Sequence, residues 1–593
     1  MWDILGSVLS TSAISTNLKV ACPTKLMMLS LIMGLLHTLT FAQEKKEKLT
    51  SYEGISARTI QKKKLQDQAD NTQKATEEPH LNKKQSNSFY IKDIILKDAK
   101  FLNRRTRKRL LAPYLNKYLN AKKVGNLVQD IRAYYLKKGY PTTQVKVVLG
   151  QNLKDGVLQI VVSIGFIEEI ILNDHKRRDS GKVFMAFPWF RNRPLYLPYL
   201  EQGIDQINSV PSSNATLKIL PGLLEGGSVI QIDHIVNKPV RLDLGGDNLG
   251  EEDSGKWRWK YNLSFDNLFR INDNWVIHYN INQAKKLKET KLRDYSFMVK
   301  FSFPVGYFNF STTHTMRSSI KPIRLSKQGG LFTRKNNSHN YDIKFLIYKH
   351  RNNKGSMILG FTHATTTNYV QDIALQVQND LQTQLKVGTN HLGLIFAGQY
   401  MLDFNYEQNL TGLGSETGKE SLSKQDKKRF KKFDFHFSWV RPFALFKQFL
   451  SYKMDCLGQY SKDEGMNLHQ LTITNIDHVR GFEQSYTGHK GICSKQELSL
   501  HHLFSFSRWL RPLEFQAGID IGYLPKVSNI EPKLEQLPLT LMGWGLGCRY
   551  HINWLSLDFT YAKPLYISKH LTIPSNTYQM IFNFTIKLHA LVP

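Results

Sequence analysis

From about residue 240 to the C-terminus, apolar and polar residues alternate with a period of two in a series of short runs. Trp257, Trp259, Tyr261, Leu263 and Phe265 alternate with Arg258, Lys260, Asn262 and Ser264. Phe433, Phe435, Phe437 and Trp439 alternate with Asp434, His436 and Ser438. Leu555, Leu557, Phe559 and Tyr561 alternate with Ser556, Asp558 and Thr560, and Met580 to Leu588 repeats the pattern from Asn583 onward. Successive side chains of a strand point to opposite faces, so each run predicts a strand with an aromatic face and a polar face. Two architectures suit such strands: a soluble antiparallel sheet, or a transmembrane barrel with a wet lumen. The heavy aromatic faces favour the barrel. Roughly 350 residues could supply about 16 spanning strands of 9–11 residues plus loops. A closed barrel also satisfies every backbone group in lipid, which an open sheet cannot.

Upstream the periodicity changes. Residues 89–165 predict a compact β-α-α-β-β unit: strand Tyr90–Leu96, helices Arg104–Leu119 and Val124–Lys138, then strands Thr143–Leu149 and Val157–Ser163 around a turn at Asp155-Gly156. Gly139-Tyr140-Pro141 ends the second helix. Residues 166–236 repeat that order, with strand Phe166–Leu172, helical stretches near Val183 and over Tyr199–Asn208, and strands Thr216–Leu220 and Ser228–Ile235. Residues 43–88 are polar and charge-rich. Ile55 to Lys74 could form a helix, but Ile55, Ile60 and Leu65 make no wide stripe, so such a helix needs a polar environment. Residues 75–88 read as a linker.

The longest apolar run, Leu26–Phe41, is about 16 residues, short for a spanning helix. Preceded by Lys25 and followed by Thr40-Phe41-Ala42, it reads as a secretory leader, residues 1–42. The long stretch before it leaves Met27 or Met28 as alternative starts, or a leader of extended type. Once the leader is gone Cys456, Cys493 and Cys548 remain, too sparse for a disulfide framework; one bridge between an unspecified pair stays open. The chain has 593 residues, with 80 Lys+Arg against 49 Asp+Glu, a formal net charge of +31. That excess implies an anionic partner: nucleic acid, lipid headgroups or lipopolysaccharide. A nucleic-acid binder would explain the charge but neither the leader nor the alternation. Mean hydropathy is −0.36, which excludes a polytopic helical membrane protein. His501-His502 is not a zinc-protease pattern, no Gly-rich phosphate loop is present and no acid pair stands out; neither an enzyme, a metal site nor a cofactor is expected.

Val479-Arg480-Gly481-Phe482, followed by Gly488, Gly491 and Glu497-Leu498, sits late in the alternating region. Several further motifs keep company with it: Lys138-Gly139-Tyr140-Pro141 and Gly156-Val157-Leu158 in the first unit, and Ala186-Phe187-Pro188 with Glu201 to Asn208 and Pro221-Gly222 in the second. Asp247-Asn248-Leu249-Gly250, Asp266-Asn267, Pro304-Val305-Gly306, the glycines 543, 545 and 547, and Tyr561-Ala562-Lys563-Pro564-Leu565 follow. In this order and spacing the chain, from about residue 89 to the end, resembles the haemolysin-activation/secretion proteins, the transporter half of two-partner secretion. It departs from the family pattern at Thr474-Asn475, at Lys495-Gln496 and at the terminal His589-Ala590-Leu591-Val592-Pro593.

The resemblance implies a mainly β fold: a 16-stranded transmembrane antiparallel β-barrel, residues 237–593, preceded by an N-terminal plug helix and linker (43–88) and two periplasmic POTRA domains (89–165 and 166–236). It implies that residues 479–482 fold back into the lumen as a gating loop, with Asp520 of Asp520-Ile521-Gly522 as the carboxylate partner of Arg480; the motif could equally serve only to hold the barrel in shape. Tyr134, Tyr135, Tyr140, Thr142, Gln144 and Val145 are candidates for client binding, or ordinary domain core. The implied partners are a secreted exoprotein carrying an N-terminal secretion domain, outer-membrane lipid or lipopolysaccharide, and the barrel-assembly machinery of a Gram-negative bacterium, without nucleic acid. A barrel-assembly factor and a non-transporting surface barrel are the alternatives.

Overall fold

The computed structural model describes residues 88–590 except 174–179, 251–254, 283–284, 288–289, 293, 326–327, 351, 376–379, 411–415, 418–430, 447, 463–469, 474–477, 483–484, 505, 528–536 and 569–577. The leader, the plug helix, the linker, Thr474-Asn475 and residues 591–593 lie outside the described residues.

The first unit contains β1 (Phe89–Ile91), β2 (Asp93–Lys97), α1 (Arg104–Leu111), β3 (Lys117–Leu119), α2 (Ala121–Lys137), β4 (Gln144–Val147) and β5 (Val157–Ser163). Both helices are N-capped by asparagine, Asn103 accepting from the Thr106 N–H and Asn120 from the Lys123 N–H. Two expectations are corrected. The helix expected over Arg104–Leu119 stops at Leu111, because Pro113 cannot continue the ladder and Asn116 turns left-handed at φ 57°. The residues beyond form β3, paired antiparallel with β1. The strand expected over Tyr90–Leu96 is broken at Lys92, where the Gly156 carbonyl accepts from both Lys92 and Asp93. β2 then joins a three-stranded sheet in the order β2-β5-β4, parallel to β5, which leaves β4 at an edge. Leu127, Ile131 and Tyr135 of α2 close the core over Leu158, Ile160 and Val162.

The second unit repeats the plan with β6 (Phe166–Leu172), α3 (Ser180–Ala186), α4 (Leu197–Ile207), β7 (Ser213–Pro221) and β8 (Gly227–Val236) in the sheet order β6-β8-β7. Phe187 is wholly buried over Gly203 of α4, where a β-carbon would collide with its ring. The units join at Gly139, whose carbonyl accepts from the Leu197 N–H at 2.8 Å, with Tyr140 against Tyr196 at 5.1 Å between ring centroids.

Sixteen strands then close into one antiparallel barrel. They are β9 (Val240–Asp247), β10 (Arg258–Asp266), β11 (Asn274–Asn282), β12 (Tyr295–Val305), β13 (Phe308–Leu325), β14 (Gln328–His350), β15 (Asn353–Val370) and β16 (Asp380–Ile395). The second half is β17 (Gly398–Asn409), β18 (Lys431–Leu445), β19 (Gln448–Ser461), β20 (Lys490–His501), β21 (Leu513–Leu524), β22 (Leu539–His551), β23 (Leu555–Ile567) and β24 (Gln579–Lys587). Closure comes from β24 against β9, Asn583↔Asp247 to Lys587↔Asp243. The alternation sorts as expected. On β21 Phe515, Ile519, Ile521 and Tyr523 are exposed on the outer wall, while Gln516, Asp520 and Leu524 are buried on the inner one. The polar set of β10 lines the lumen and includes Arg258, which grips Asp247 in a two-point ion pair at 2.7 and 2.8 Å, with Lys260 beside it. β13 to β16 run 16–23 residues, beyond the 9–11 or so that a bilayer needs. On β14 the outer face changes from Tyr341, Ile343 and Phe345 to Lys335, Asn337 and His339, marking where the wall leaves the hydrocarbon.

The second unit seats on the barrel's near-end turns. Asp266 accepts from the two Nη atoms of Arg241, at 2.5 and 2.9 Å, and from the Ser212 N–H of the second unit at 2.8 Å. Asp205 of α4 pairs with Lys349 at 2.7 Å, and Gln206 donates to the Gly306 carbonyl at 2.7 Å.

Candidate functional site

The connection between β19 and β20 rises from the far end and turns back into the lumen. Its stem is a short ribbon, Leu471–Thr472 paired with Thr487–Gly488. At its tip Arg480 is 1% exposed. Its Nε donates to Asp520 Oδ2 at 2.6 Å, one Nη to Asp520 Oδ1 at 2.8 Å, and its own backbone N–H to Oδ2 at 3.0 Å. The other Nη reaches Glu497 Oε2 of β20 at 3.4 Å. Glu497 is shared: its second oxygen holds Arg549 of β22 at 2.9 Å, and Arg549 continues to Asp558 of β23 at 3.3 Å. Asp520, Arg480, Glu497, Arg549 and Asp558 thus form an alternating chain of charge across four neighbouring strands and the loop. Burying a lone guanidinium is costly; the planar fork with two carboxylates satisfies it.

Glycines on the inner wall make the seat. A β-carbon at Gly518 would strike the Arg480 guanidinium, one at Gly543 the Arg480 carbonyl, and one at Gly545 would lie 3.3 Å from its Cδ. Gly481 takes φ +93°, and a β-carbon there would come within 2.5 Å of the Lys563 carbonyl carbon. Its N–H donates to Gln579 of β24 at 3.1 Å. On the far-end side of Arg480, Val479 and Phe482 pack into a buried apolar cluster with Ile473, Tyr486, Leu524, Leu539 and Leu541. The loop is therefore pinned by an ion cluster below and an apolar cluster above, and it lies against the inner wall formed by β20 to β24.

The structure brings Val479, Arg480, Gly481, Phe482 and Asp520 together. Glu497, Arg549 and Asp558 were not anticipated as partners. A signal existed for the seat: Gly518 and Gly522 lie two residues either side of Asp520, and Gly543, Gly545 and Gly547 share the inward parity of the neighbouring strand. The charge chain depends on the register of the consecutive strands β20 to β23, which sets Arg549 directly opposite Asp558 and Glu497 within reach of Arg549, and a strand-by-strand reading does not supply that register.

The six first-unit candidates fall in different places. Tyr135 is fully buried and donates to the Lys100 carbonyl at 2.7 Å. Tyr134 is half-buried and donates to the Phe101 carbonyl at 3.3 Å. Tyr140 is stacked on Phe101 at 4.9 Å and faces Tyr196 at the joint between units. Thr142 lies against Gly165, and Val145 packs on the core. Gln144 is exposed on the edge strand β4. Cys456, Cys493 and Cys548 are free thiols.

Known proteins match both halves of this architecture. Residues 226–550 match the family described as haemolysin secretion/activation protein ShlB/FhaC/HecB, residues 89–165 a ShlB-type POTRA domain, and residues 166–221 a POTRA domain. The outer membrane transporter CdiB of Dickeya dadantii (strain 3937) is 25% identical over 82% of this chain and 84% of its own. The hemolysin transporter protein HpmB of Proteus mirabilis is 26% identical over 84% of this chain and 85% of its own. In fold, the structure of CdiB from Escherichia coli superposes with a TM-score of 0.74 at 24% identity, covering 90% of this chain and 98% of the other. With two POTRA domains at the mouth of a 16-stranded barrel and the Arg480 loop in its lumen, the chain belongs to the haemolysin secretion/activation protein family, the outer-membrane transporters of two-partner secretion.

Proposed function

We propose that this transporter receives its exoprotein unfolded on the POTRA domains, through the client's N-terminal secretion domain, and that the Arg480 loop sets whether the lumen is open to it. The lumen loop carries this reading: a segment folded into the pore against the β20–β24 wall, anchored there by a buried arginine, is an obstacle with a defined release. Docking falls to β4, an edge strand that pairs only with β5 among the described residues. An extended client adds to such an edge by backbone hydrogen bonds, with neighbouring side chains reading the sequence. Gln144 is the exposed contact of the six candidates; Thr142 and Val145 flank it, and Tyr134, Tyr135 and Tyr140 shape the domain behind it. The polar segment at residues 43–88 serves as the resting plug. No catalytic step and no cofactor enter, and client folding outside the cell supplies the direction. The excess positive charge faces lipopolysaccharide, the lumen or the client, and the barrel-assembly machinery inserts the barrel.

The test is client release into the medium from cells carrying the intact protein, Arg480→Ala, Gln144→Pro or none, at matched barrel abundance. Release that requires the intact protein and falls at least about tenfold for Arg480→Ala, the size of a change above 1.4 kcal/mol, supports the reading. Gln144→Pro, which disrupts the edge strand β4 where it pairs with Ser163 of β5, should lower release without altering the pore. Equal release from all four strains would defeat it.

A further inference from the structure

We propose that the barrel-proximal POTRA domain carries a phospholipid-binding face, and that Trp189 and Phe184 rest in the headgroup layer of the inner leaflet. The segment Phe187-Pro188-Trp189-Phe190 places three side chains inward. Phe187 and Pro188 are buried and Phe190 packs on the domain core. Trp189 alone is turned out, 73% exposed, by a left-handed backbone at φ 54°, a conformation rare for a bulky residue. Strain that presents the largest apolar side chain of the segment to the outside calls for an apolar occupant.

The surroundings identify it as the membrane. Pro188 touches Gly306 of the β12–β13 turn, where a β-carbon would lie 3.0 Å from its Cγ. The Met185 carbonyl accepts from the Gly306 N–H at 2.7 Å, and the Lys182 carbonyl from the Asn272 side chain at 2.9 Å. α3, with Phe184 55% exposed, therefore lies along the two turns that end the lipid-facing wall. On the β10–β11 turn Leu268 and Phe269 are also exposed, at 59% and 58%, and the Phe269 ring packs on Trp275 and Phe301 of the outer wall. The apolar face is thus continuous with the barrel's aromatic belt, the place where indoles favour the bilayer boundary. Arg191 and Arg270 are exposed beside it, cations suited to lipid phosphate. A protein partner would not require this alignment with the belt.

The full-length protein, reconstituted into phosphatidylethanolamine/phosphatidylglycerol vesicles with and without lipid brominated near the headgroup end of its chains, tests the assignment. Tryptophan emission is compared between wild type and Trp189→Phe, so that the difference isolates one of the nine tryptophans. The expected difference spectrum is blue-shifted relative to free indole and loses most of its intensity in the brominated vesicles. An Arg191→Gln/Arg270→Gln pair should weaken that quenching. A red, unquenched difference spectrum would overturn the proposal, and would leave the face to water or to another protein. Because no client is present, this outcome is independent of the secretion test.

Discussion

Arg480 concentrates the energetics of the lumen. Its removal leaves Asp520 and one oxygen of Glu497 without their cation in a buried site, a loss of about 3–5 kcal/mol for a broken buried pair. The glycine seat is the complementary constraint. Gly518→Ala places a methyl group into the guanidinium, so it should destabilise the seated loop by about 1–3 kcal/mol, as overpacking does. Limited proteolysis of the 462–489 connection is the readout, and a cleavage rate equal to wild type would show that the seat is not tight. In the POTRA domains, burial pushes the Tyr135 and Tyr199 hydroxyls up to about 12. An unfolded tyrosine ionises near 10. The neutral phenols therefore stabilise these domains fully below about pH 10, and that contribution disappears as pH rises through about 12. Alkaline unfolding followed by circular dichroism should be shallower in Tyr135→Phe/Tyr199→Phe than in wild type.

At the scale of elements, the junction between domain and barrel combines short polar contacts with Tyr307 of the β12–β13 turn packed on the domain core. Asp266 links β10, Arg241 of β9 and the Ser212 amide, and Asp205 and Gln206 of α4 reach two further turns. Asp266→Asn leaves the Arg241 guanidinium short of its counterion. It should cost about 3–5 kcal/mol at that node and loosen the docked POTRA domain. Hydrogen exchange of amides 208–215 should rise, while the barrel ladders keep their protection. Unchanged exchange would place the docking strength in Asp205 and Gln206 instead.

For the whole molecule, barrel closure and lumen occupancy are separable. Closure comes from sixteen ladders of backbone hydrogen bonds, none of which involves the tip of the loop. Occupancy depends on one ion cluster and one apolar cluster. Arg480→Ala should therefore keep the heat-modifiable gel migration of a closed barrel yet raise single-channel conductance in planar bilayers. A variant that lost heat-modifiability would show instead that the loop holds the barrel in shape, the other role open to the motif.

Much of this was legible in the chain. The period-two runs determined which residues face lipid and which face the lumen, because parity in a strand is local. Val157–Ser163 and Phe166–Leu172 were bounded as the structure has them, since apolar repeats and turn residues mark both ends. The Arg480–Asp520 pairing came from motif resemblance. Local reading failed where non-local contacts decide: Lys117–Leu119 became a strand only because β1 supplied its partner, and the stretch from Tyr90 broke because the Gly156 carbonyl captures both Lys92 and Asp93. The same holds for Glu497, Arg549 and Asp558, whose meeting depends on the register between neighbouring strands, and for Trp189, whose outward turn gains meaning only beside the Gly306 turn. Sequence by itself determined the faces of the strands and the order of the domains. Only the tertiary structure decided which charges share one site, because that depends on the register between neighbouring strands and on the loop that folds back against them.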